Sequence, residues 1–344
     1  MTNLNSNFSI INNASYQQLN SFNIQGQTKY LTHVNNEASL LSVLNFAHQE
    51  KIPYIILGGG SNVLMTKYNE GLIIHMAIMG ISKIKETDEH VYLKIGAGEN
   101  WHELVRYCLA NNYYGIENLS LIPGTVGAAP IQNIGAYGVE LKDVFDELSA
   151  VHVSSGKMMQ FNKEACEFSY RNSLFKKVID NYIVCNVTLR LHKNPHVVLT
   201  DNSVKNELKH LGIEHPDAKQ LSEIICDIRR RKLPYDKNIG NAGSFFMNPY
   251  ISETHFNEIK KQYPDAIGFN MGESQVKIAA GWMIDKCGWR GYREGDAGIY
   301  EHNALVLVNH GQATGEQILS LAHKVKQSIK EKFDVVLQIE PRIY

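Results

Sequence analysis

The chain has 344 residues, of which 44% are hydrophobic and 20% are charged, and its formal net charge is −1. This length predicts two or three domains. The balanced charge argues against broad electrostatic capture of nucleic acid or of an anionic membrane surface, so any phosphate would be bound locally. The N-terminus lacks the features of a secretory signal, and no apolar run approaches the roughly 18 residues of a membrane span. We therefore expect a cytoplasmic protein with no nucleic-acid or membrane partner.

The first third of the chain is expected to alternate helices and strands. Residues 1–20 are rich in Asn and Ser and are expected to be irregular. The spacing of apolar residues then predicts, in order, a helix at Ser39–Gln49, strands at Tyr54–Leu57, Leu72–Met76 and Val91–Ile95, and a helix at Glu99–Asn111.

The remainder of the chain mixes strands with helices. The basic run 229–232, followed by Pro234, ends a helix and marks a domain boundary. A capping box from Thr314 to Gln317 opens the last helix. The expected elements are strands at Leu148–Val153 and Tyr182–Leu191 with a hairpin at Gly156, helices at Ala218–Arg230 and Ile278–Lys286, a strand at Ala304–Val308, a long helix from Thr314 and a final strand at Val335–Ile339. This pattern predicts an α+β architecture with mixed or antiparallel sheets.

Two glycine-rich stretches interrupt these elements. The first is Gly58–Asn62, with the sequence GGGSN, and it directly follows a strand. The second runs from Ile122 to Gly138 and contains IPGTVGAAP and QNIGAYG. Glycine lets backbone N–H groups approach a ligand closely, and such loops bind anions. The stretches are either turns between packed elements or two grips on a long phosphate-bearing ligand, such as a dinucleotide.

Several common site motifs are missing. A Rossmann fingerprint needs a third glycine, but Val63 and Trp101 stand at that place after Gly58-x-Gly60 and Gly96-x-Gly98. There is no Walker lysine motif, G-x-S-x-G or H-E-x-x-H, and the fourteen histidines form no ligand pattern, so no metal is expected. Five scattered cysteines without a C-x-x-C pair indicate free thiols in a reducing compartment.

Four polar features are candidates for chemistry. Ser244, between Gly243 and an aromatic pair, is either a cap or turn residue or a buried proton donor. Arg171 is either a surface cation or a planar clamp for a carboxylate. Glu340 is either solvated near the chain end or buried with an arginine as its partner. The basic run 229–232 either complements a helix dipole or meets an anionic substrate.

Taken in order, these segments resemble the UDP-N-acetylenolpyruvoylglucosamine reductase family, the flavoenzymes of bacterial peptidoglycan precursor synthesis. The resemblance covers the chain from about Ser21 to Ile343, and its length favours the longer, type I form. The residues that carry it are Gly58–Asn62, Ile122–Ala128, Gln132–Gly138, Tyr170-Arg171, Gly240–Phe246 and Glu340. It implies an FAD-binding region of the PCMH or vanillyl-alcohol-oxidase type in two α+β subdomains, followed by a C-terminal α+β substrate-binding domain.

The resemblance also implies domain boundaries. We expect an irregular segment at 1–20, an FAD-binding domain at 21–195 with subdomains of about 21–80 and 81–195, a connecting loop and helix at 196–232, and a C-terminal domain at 233–344. The last strand of that domain is expected to return toward the active site.

The family's chemistry implies a role for each catalytic candidate. NADPH would reduce non-covalently bound FAD and leave, and UDP-N-acetylglucosamine enolpyruvate would take its place in a monomeric enzyme. Hydride would pass from flavin N5 to C3 of the enolpyruvyl group. Arg171 and Glu340 would stabilise the charge that develops on the substrate carboxylate, and Ser244 would deliver a proton to C2.

The binding residues follow by motif position. FAD binding is assigned to Gly58, Gly59, Gly60, Ser61, Asn62, Ile122, Pro123, Gly124, Thr125, Gly127, Ala128, Gln132, Asn133, Gly135, Ala136, Tyr137 and Gly138. Substrate binding is assigned to Tyr170, Arg229, Lys232 and Asn248. The longer form carries a tyrosine in a loop that covers the substrate, but this chain has Asp201 there. Either the loop is matched in the wrong register, or the covering residue is another one, such as Tyr235 or Tyr250.

Two other functions are compatible with parts of this pattern. An oxidase of the same cofactor fold is one, although many such enzymes attach FAD through His or Cys and the glycine stretches contain neither. A non-catalytic nucleotide-binding module is the other, but it would leave Ser244, Arg171 and Glu340 without a role.

Overall fold

The computed structural model describes residues 8–178, 180–234 and 239–344. The chain divides into two compact units. Within the described residues, the first unit consists of 8–14, Thr28–Gly59 and Glu70–Arg229, and the second consists of Ser15–Gln27, Gly60–Asn69 and 230–344. The chain therefore passes from one unit to the other between Gly59 and Gly60, inside the first glycine stretch.

The helices follow the periodicity of the apolar residues. The α-helices of the described residues are α1 (Glu37–Gln49), α2 (Trp101–Ala110), α3 (Leu174–Lys177), α4 (Asn202–Leu211), α5 (Ala218–Lys232), α6 (Glu253–Gln262), α7 (Ala280–Lys286) and α8 (Gly315–Phe333). Short 3₁₀ helices lie at Gln17–Leu19, Glu117–Leu119, Val126–Gln132 and Leu141–Asp143.

The strands are mostly short. They are β1 (Ile11–Ser15), β2 (Gln27–Val34), β3 (Tyr54–Leu57), β4 (Val63–Leu64), β5 (Asn69–Met76), β6 (Ile81–Glu86), β7 (His90–Gly96), β8 (Gly135–Ala136), β9 (Val139–Glu140), β10 (Phe145–His152), β11 (Lys157–Asn162), β12 (Tyr182–His192), β13 (Gly240–Asn241), β14 (Tyr250–Ser252), β15 (Gly268–Asn270), β16 (Gln275–Ile278), β17 (Arg293–Glu294), β18 (Ala297–Ile299), β19 (Leu307–Asn309) and β20 (Arg342–Ile343).

Two main sheets build the first unit. One has the order β1-β2-β5-β3, and β3 and β5 run parallel with Tyr54 opposite Leu72. The other is an antiparallel sheet with the order β11-β10-β12-β7-β6, and β8 and β9 form a small separate ribbon. Strand β12 lies in the middle of the larger sheet and is buried over most of its length. A strand covered on both faces is expected to be mostly apolar, and Asn186 and Thr188 are buried polar exceptions in this one.

Helix α2 covers the larger sheet with one face. Trp101, Leu104, Val105 and Cys108 on this face are buried in one core with the inward side chains of β7. Their spacing puts them on a single side of a helix with 3.6 residues per turn. The Asn100 side chain caps the helix by accepting a hydrogen bond from the Glu103 N–H. This anchored N-terminus lies beside the second glycine stretch.

The second unit contains three small sheets. Their orders are β13-β19-β18-β17, β14-β16-β15 and β20-β4, and in the last pair Arg342 lies parallel to Val63. Helix α8 begins after Thr314, whose hydroxyl accepts from the Gln317 N–H while the Gln317 side chain accepts from the Thr314 N–H. The predicted capping box is therefore confirmed. No helix among the described residues is long and apolar enough to cross a membrane.

The structure confirms the predicted helices with small shifts at their ends, and Gly156 forms the turn between β10 and β11. Two strand predictions need correction. The strand expected at Ala304–Val308 begins later, at Leu307. No strand forms at Val335–Ile339, although its residues alternate between buried and more exposed, because the segment makes only an isolated pair between Ile339 and Phe246. The last strand is β20 instead.

The start of the chain also differs from expectation. Within the supposedly irregular segment 1–20, the described residues include strand β1, which forms the edge of the four-stranded sheet. Asn is a poor strand former in isolation, but pairing with β2 outweighs that preference. The predicted domain boundaries stay a prediction.

Candidate active site

Within the first unit, Gly58 and Gly59 of the first glycine stretch lie directly against the second stretch. A Cβ atom on Gly59 would lie 2.9 Å from the Gly124 Cα, and one on Gly58 would lie 2.4 Å from the Thr125 Oγ1. Atoms at these separations would overlap, so each backbone approaches the other as closely as it does only because these residues lack side chains. Gly58 and Gly59 therefore pack directly on Gly124 and Thr125.

A polar atom at this contact lacks a partner. Thr125 Oγ1 is buried and has no hydrogen bond to any part of the chain that the structure describes. Leaving a buried hydroxyl unsatisfied costs about 1–3 kcal/mol. A ligand with acceptor oxygens would remove that cost. The close glycine backbones and this hydroxyl thus fit a phosphate-bearing cofactor.

A Gly58→Ala substitution should destabilise the protein by about 1–3 kcal/mol, because the new methyl group would overlap with Thr125 Oγ1. Thermal unfolding of the purified protein measures the effect. The double variant Gly58→Ala/Thr125→Ala removes the clashing oxygen and should recover most of the loss. A double variant no more stable than Gly58→Ala would show that this contact is not what excludes a side chain.

The later part of the second stretch is held by its own polar side chains. Asn133 is fully buried with a positive φ of 44°. Its amide donates to Glu140 Oε2 at 3.0 Å and to Ser169 O at 3.2 Å, and its oxygen accepts from the Lys142 N–H at 3.0 Å. The side chain of this predicted cofactor residue therefore shapes the loop around itself.

Arg171 lies against this same loop. It stands at the tip of a tight turn in which Ser169 and Asn172 exchange backbone hydrogen bonds, and its φ is 51°. Its Nη2 donates to Gly135 O at 2.8 Å, and its guanidinium carbon lies 5.5 Å from the centre of the Tyr170 ring. The guanidinium is thus held in place at the glycine stretch. This geometry favours a fixed clamp over a loose surface cation.

The structure brings Ser244 and Glu340 together in the second unit. The Glu340 N–H donates to Phe245 O at 2.9 Å, and the next pair along the two segments is Ile339 with Phe246. Phe245 and Phe246 are fully buried and fix one of the two segments. Two residues almost a hundred positions apart therefore stand on paired backbones.

Ser244 was expected to be either a cap or turn residue or a buried proton donor, and its surroundings bear on both interpretations. Ser244 is exposed and not buried, and its role as a proton donor stays a prediction. It caps no helix, and it follows Gly243, which adopts a φ of 69° and on which a Cβ would meet no atom within 4 Å. No hydrogen bond joins the Ser244 hydroxyl to any of residues 8–178, 180–234 or 239–344. The hydroxyl is accessible to a bound molecule.

The predicted substrate-binding residues have varied surroundings. Arg229 donates from Nε to Leu121 O at 3.2 Å and is hydrogen-bonded to the Tyr137 hydroxyl. Burial raises the pKa of Tyr137, and the charge of Arg229 opposes this effect only in part. Lys232 is exposed at the end of α5, and Asn248 Oδ1 accepts from the Ala280 N–H at the start of α7.

The residue expected in the covering loop has a structural role. Asp201 caps α4, because its Oδ1 accepts from the N–H groups of Ser203 at 2.8 Å and Val204 at 3.2 Å. Of the two tyrosines considered instead, Tyr235 lies outside the described residues and Tyr250 is exposed on β14. Asp201 is therefore part of a helix start.

Sequence reasoning named Tyr250 but missed the exposed row of side chains to which it belongs. Tyr250 on β14 and Phe269 on β15 both lie opposite Lys277 on β16, and the Lys277 Nζ lies 5.8 Å from the centre of the Phe269 ring. Tyr250 is 42% exposed and Phe269 is 50% exposed. Exposed aromatic rings can stack on a nucleobase, and a neighbouring ammonium group can bind a phosphate. Only the strand pairing reveals the row, since its members are far apart in the sequence.

Among the residues that the structure describes, no group of three or more His, Cys, Asp and Glu side chains is placed to hold a metal ion.

Comparison with protein families finds two matches. The model of the UDP-N-acetylenolpyruvoylglucosamine reductase C-terminal domain matches residues 233–344, and that of an FAD binding domain matches residues 28–162. A UDP-N-acetylenolpyruvoylglucosamine reductase of Pseudomonas aeruginosa is 43% identical over 330 residues, covering 96% of this chain and 97% of the relative. The enzyme of that name from Amoebophilus asiaticus is 43% identical over 332 residues, covering 96% and 98%.

Solved structures show the same fold. A UDP-N-acetylenolpyruvylglucosamine reductase from Thermus caldophilus has a TM-score of 0.66 at 23% identity, with 98% of both chains covered. A 6-hydroxy-D-nicotine oxidase from Arthrobacter nicotinovorans has a TM-score of 0.57 at 10% identity, covering 98% of this chain and 88% of the oxidase. The fold is an FAD-binding domain of the PCMH type followed by a C-terminal domain, as predicted.

Proposed function

Because the chain belongs to the UDP-N-acetylenolpyruvoylglucosamine reductase family, we propose that Ser244, Arg171 and Glu340 carry out the chemistry of that family in it. The protein is an FAD-dependent oxidoreductase that uses NADPH to reduce UDP-N-acetylglucosamine enolpyruvate in peptidoglycan synthesis. The product of that reduction is UDP-N-acetylmuramate.

The glycine stretches hold the cofactor in this proposal. Its support is the close packing of Gly58 and Gly59 on Gly124–Thr125, and the buried Thr125 hydroxyl that lacks a partner among the described residues. We assign the other motif residues named above to the cofactor as well. When bound, FAD accepts a hydride from NADPH and supplies it to C3 of the enolpyruvyl group. The chain itself supplies orientation and a proton.

Ser244 gives the proton to C2. Hydride addition at C3 leaves negative charge at C2, and a carbon with carbanion character is a strong base that even a hydroxyl can protonate. The observation that carries the assignment is the pairing of the Ser244 segment with Glu340, through the 2.9 Å hydrogen bond from the Glu340 N–H to Phe245 O. The pairing holds an accessible hydroxyl and a carboxyl group on neighbouring backbones.

Arg171 and Glu340 stabilise charge on the substrate carboxylate. The Arg171 guanidinium is already oriented by Gly135 O at 2.8 Å, so little conformational freedom is lost when it binds a carboxylate. A polar acid at Glu340 adds a further hydrogen bond. Preorganised groups of this kind lower the barrier most where charge develops.

The remaining contacts involve the nucleotide part of the substrate. We assign its diphosphate to Lys232 and Arg229, and further substrate contacts to Tyr170 and Asn248. The exposed row of Tyr250, Lys277 and Phe269 is suited to the uracil ring and its phosphate. We also assign a monomeric state and a location in the cytoplasm, where NADPH and nucleotide sugars are available.

An anaerobic visible spectrum of the purified protein tests the order of the reaction. The flavin absorbance should disappear with NADPH and return when UDP-N-acetylglucosamine enolpyruvate is added, because both bind in turn at one site. A reduced flavin that ignores the sugar nucleotide but reoxidises rapidly in oxygen would indicate an oxidase instead. A protein purified without flavin is first loaded with FAD.

A further inference from the structure

Leu121 has an unfavourable backbone conformation immediately before the second glycine stretch. Its φ is 60°, in the left-handed region that leucine rarely adopts. The residue is neither glycine nor asparagine, so its own chemistry does not explain the conformation. Backbone strain of this kind persists only where neighbouring groups enforce it. The contacts of the Leu121 peptide groups show which groups do so.

Two side chains from different helices hold Leu121. Its N–H donates to His102 Nδ1 on α2 at 2.9 Å, and its C=O accepts from Arg229 Nε on α5 at 3.2 Å. An imidazole that accepts at Nδ1 is neutral and carries its proton on Nε2. The two hydrogen bonds act on the peptide groups on either side of the Leu121 Cα, so together they favour one backbone conformation there.

The same turn of α2 contacts the loop at further points. The Trp101 N–H donates to Gly124 O at 3.0 Å, and the Trp101 indole Nε1 donates to Leu119 O at 3.0 Å. Asn100 pairs with Thr125 in an isolated bridge. His102 therefore completes a set of contacts that fixes residues 119–125. Among these contacts, the hydrogen bond from the Leu121 N–H to His102 is the one whose acceptor is a side chain. It is made by the strained residue itself.

We propose that His102 is a positioning residue that holds Leu121 in its left-handed conformation and thereby preorganises the loop 122–125 for FAD. The inference rests on the proposed assignment of this stretch to the cofactor. His102 acts through the backbone of Leu121. Without it, the loop would relax toward ordinary φ values, and FAD binding would have to restore the strained form.

The test measures FAD dissociation from the full-length holoenzyme, by the fluorescence of flavin released on dilution. His102→Leu should weaken FAD binding by about tenfold. The free energy of backbone strain at one residue corresponds to a change in the dissociation constant of that order. His102→Asn keeps an acceptor near the Nδ1 position and should stay within about threefold of the unchanged protein. Leu121→Gly in the His102→Leu background should restore binding, because glycine adopts this φ without strain, whereas Leu121→Ala should not.

The results separate the inference from the proposed site. Unchanged FAD binding in a folded His102→Leu protein would overturn the inference, as would equal losses in the Asn and Leu variants or the absence of rescue by Leu121→Gly. Gly58→Ala provides the comparison for the site itself. If Gly58→Ala weakens FAD binding and His102→Leu does not, only the role of His102 fails. If neither variant changes FAD binding, the assignment of the glycine stretches to FAD fails as well.

Discussion

Replacing Ser244 with alanine should leave the reduction of the flavin by NADPH intact and slow its reoxidation by the sugar nucleotide at least about a thousandfold. The hydroxyl is exposed and hydrogen-bonded to no described part of the chain, so its loss should not disturb the fold. Only the second half of the reaction needs a proton at C2. The effect should therefore be confined to that half.

Stopped-flow absorbance measures the two halves of the Ser244→Ala reaction separately under anaerobic conditions. Ser320→Ala is a matched control, because Ser320 is also exposed in the second unit but lies on the surface of α8. That variant should behave like the unchanged protein in both halves. Normal reoxidation of Ser244→Ala would mean that another group donates the proton, whereas slow reduction by NADPH would indicate damage to cofactor or NADPH binding.

Glu340→Gln should slow the same half of the reaction by about a hundredfold while the protein keeps its flavin. The backbone hydrogen bond from residue 340 to Phe245 O is independent of the side chain, so the pairing with the Ser244 segment should persist. The substitution keeps the shape of the side chain and removes its ability to act as an acid. A group that stabilises developing charge affects the rate more than it affects binding.

The measurement for Glu340→Gln is again the reoxidation rate, together with thermal unfolding. Glu258→Gln, at an exposed position on α6, is the control and should change neither. A colourless protein that unfolds at a lower temperature would support a structural role for Glu340. Reoxidation at the normal rate in a stable variant would remove Glu340 from the mechanism.

Local periodicity was sufficient to predict most helices. Helix α2 is an example, because its apolar residues and the Asn100 cap are all encoded within a dozen positions. The segment Val335–Ile339 has a strand-like alternation but forms no strand, since a ladder needs a partner segment along its whole length. The alternation of apolar residues predicts which face of a segment packs on the core. It does not predict which other segment will pair with it.

The sequence was sufficient to identify the motifs of the candidate site, but it did not predict how their residues contact one another in the folded chain. The glycines were recognisable, whereas the contact of Gly58 with Thr125 depends on two segments that meet only in the folded chain. The exposure of Ser244 and the positive φ of Leu121 are likewise visible only in the folded chain. The capping role of Asp201 also became visible only in the structure, because it depends on where α4 begins.

The most direct test of the assigned chemistry compares Ser244→Cys with Ser244→Ala in the reoxidation step alone. A thiol can donate a proton and a methyl group cannot, so the Cys variant should reoxidise its flavin far faster than the Ala variant when UDP-N-acetylglucosamine enolpyruvate is added. Equal rates in the two variants, with normal reduction by NADPH in both, would contradict the assignment of Ser244 as the proton donor.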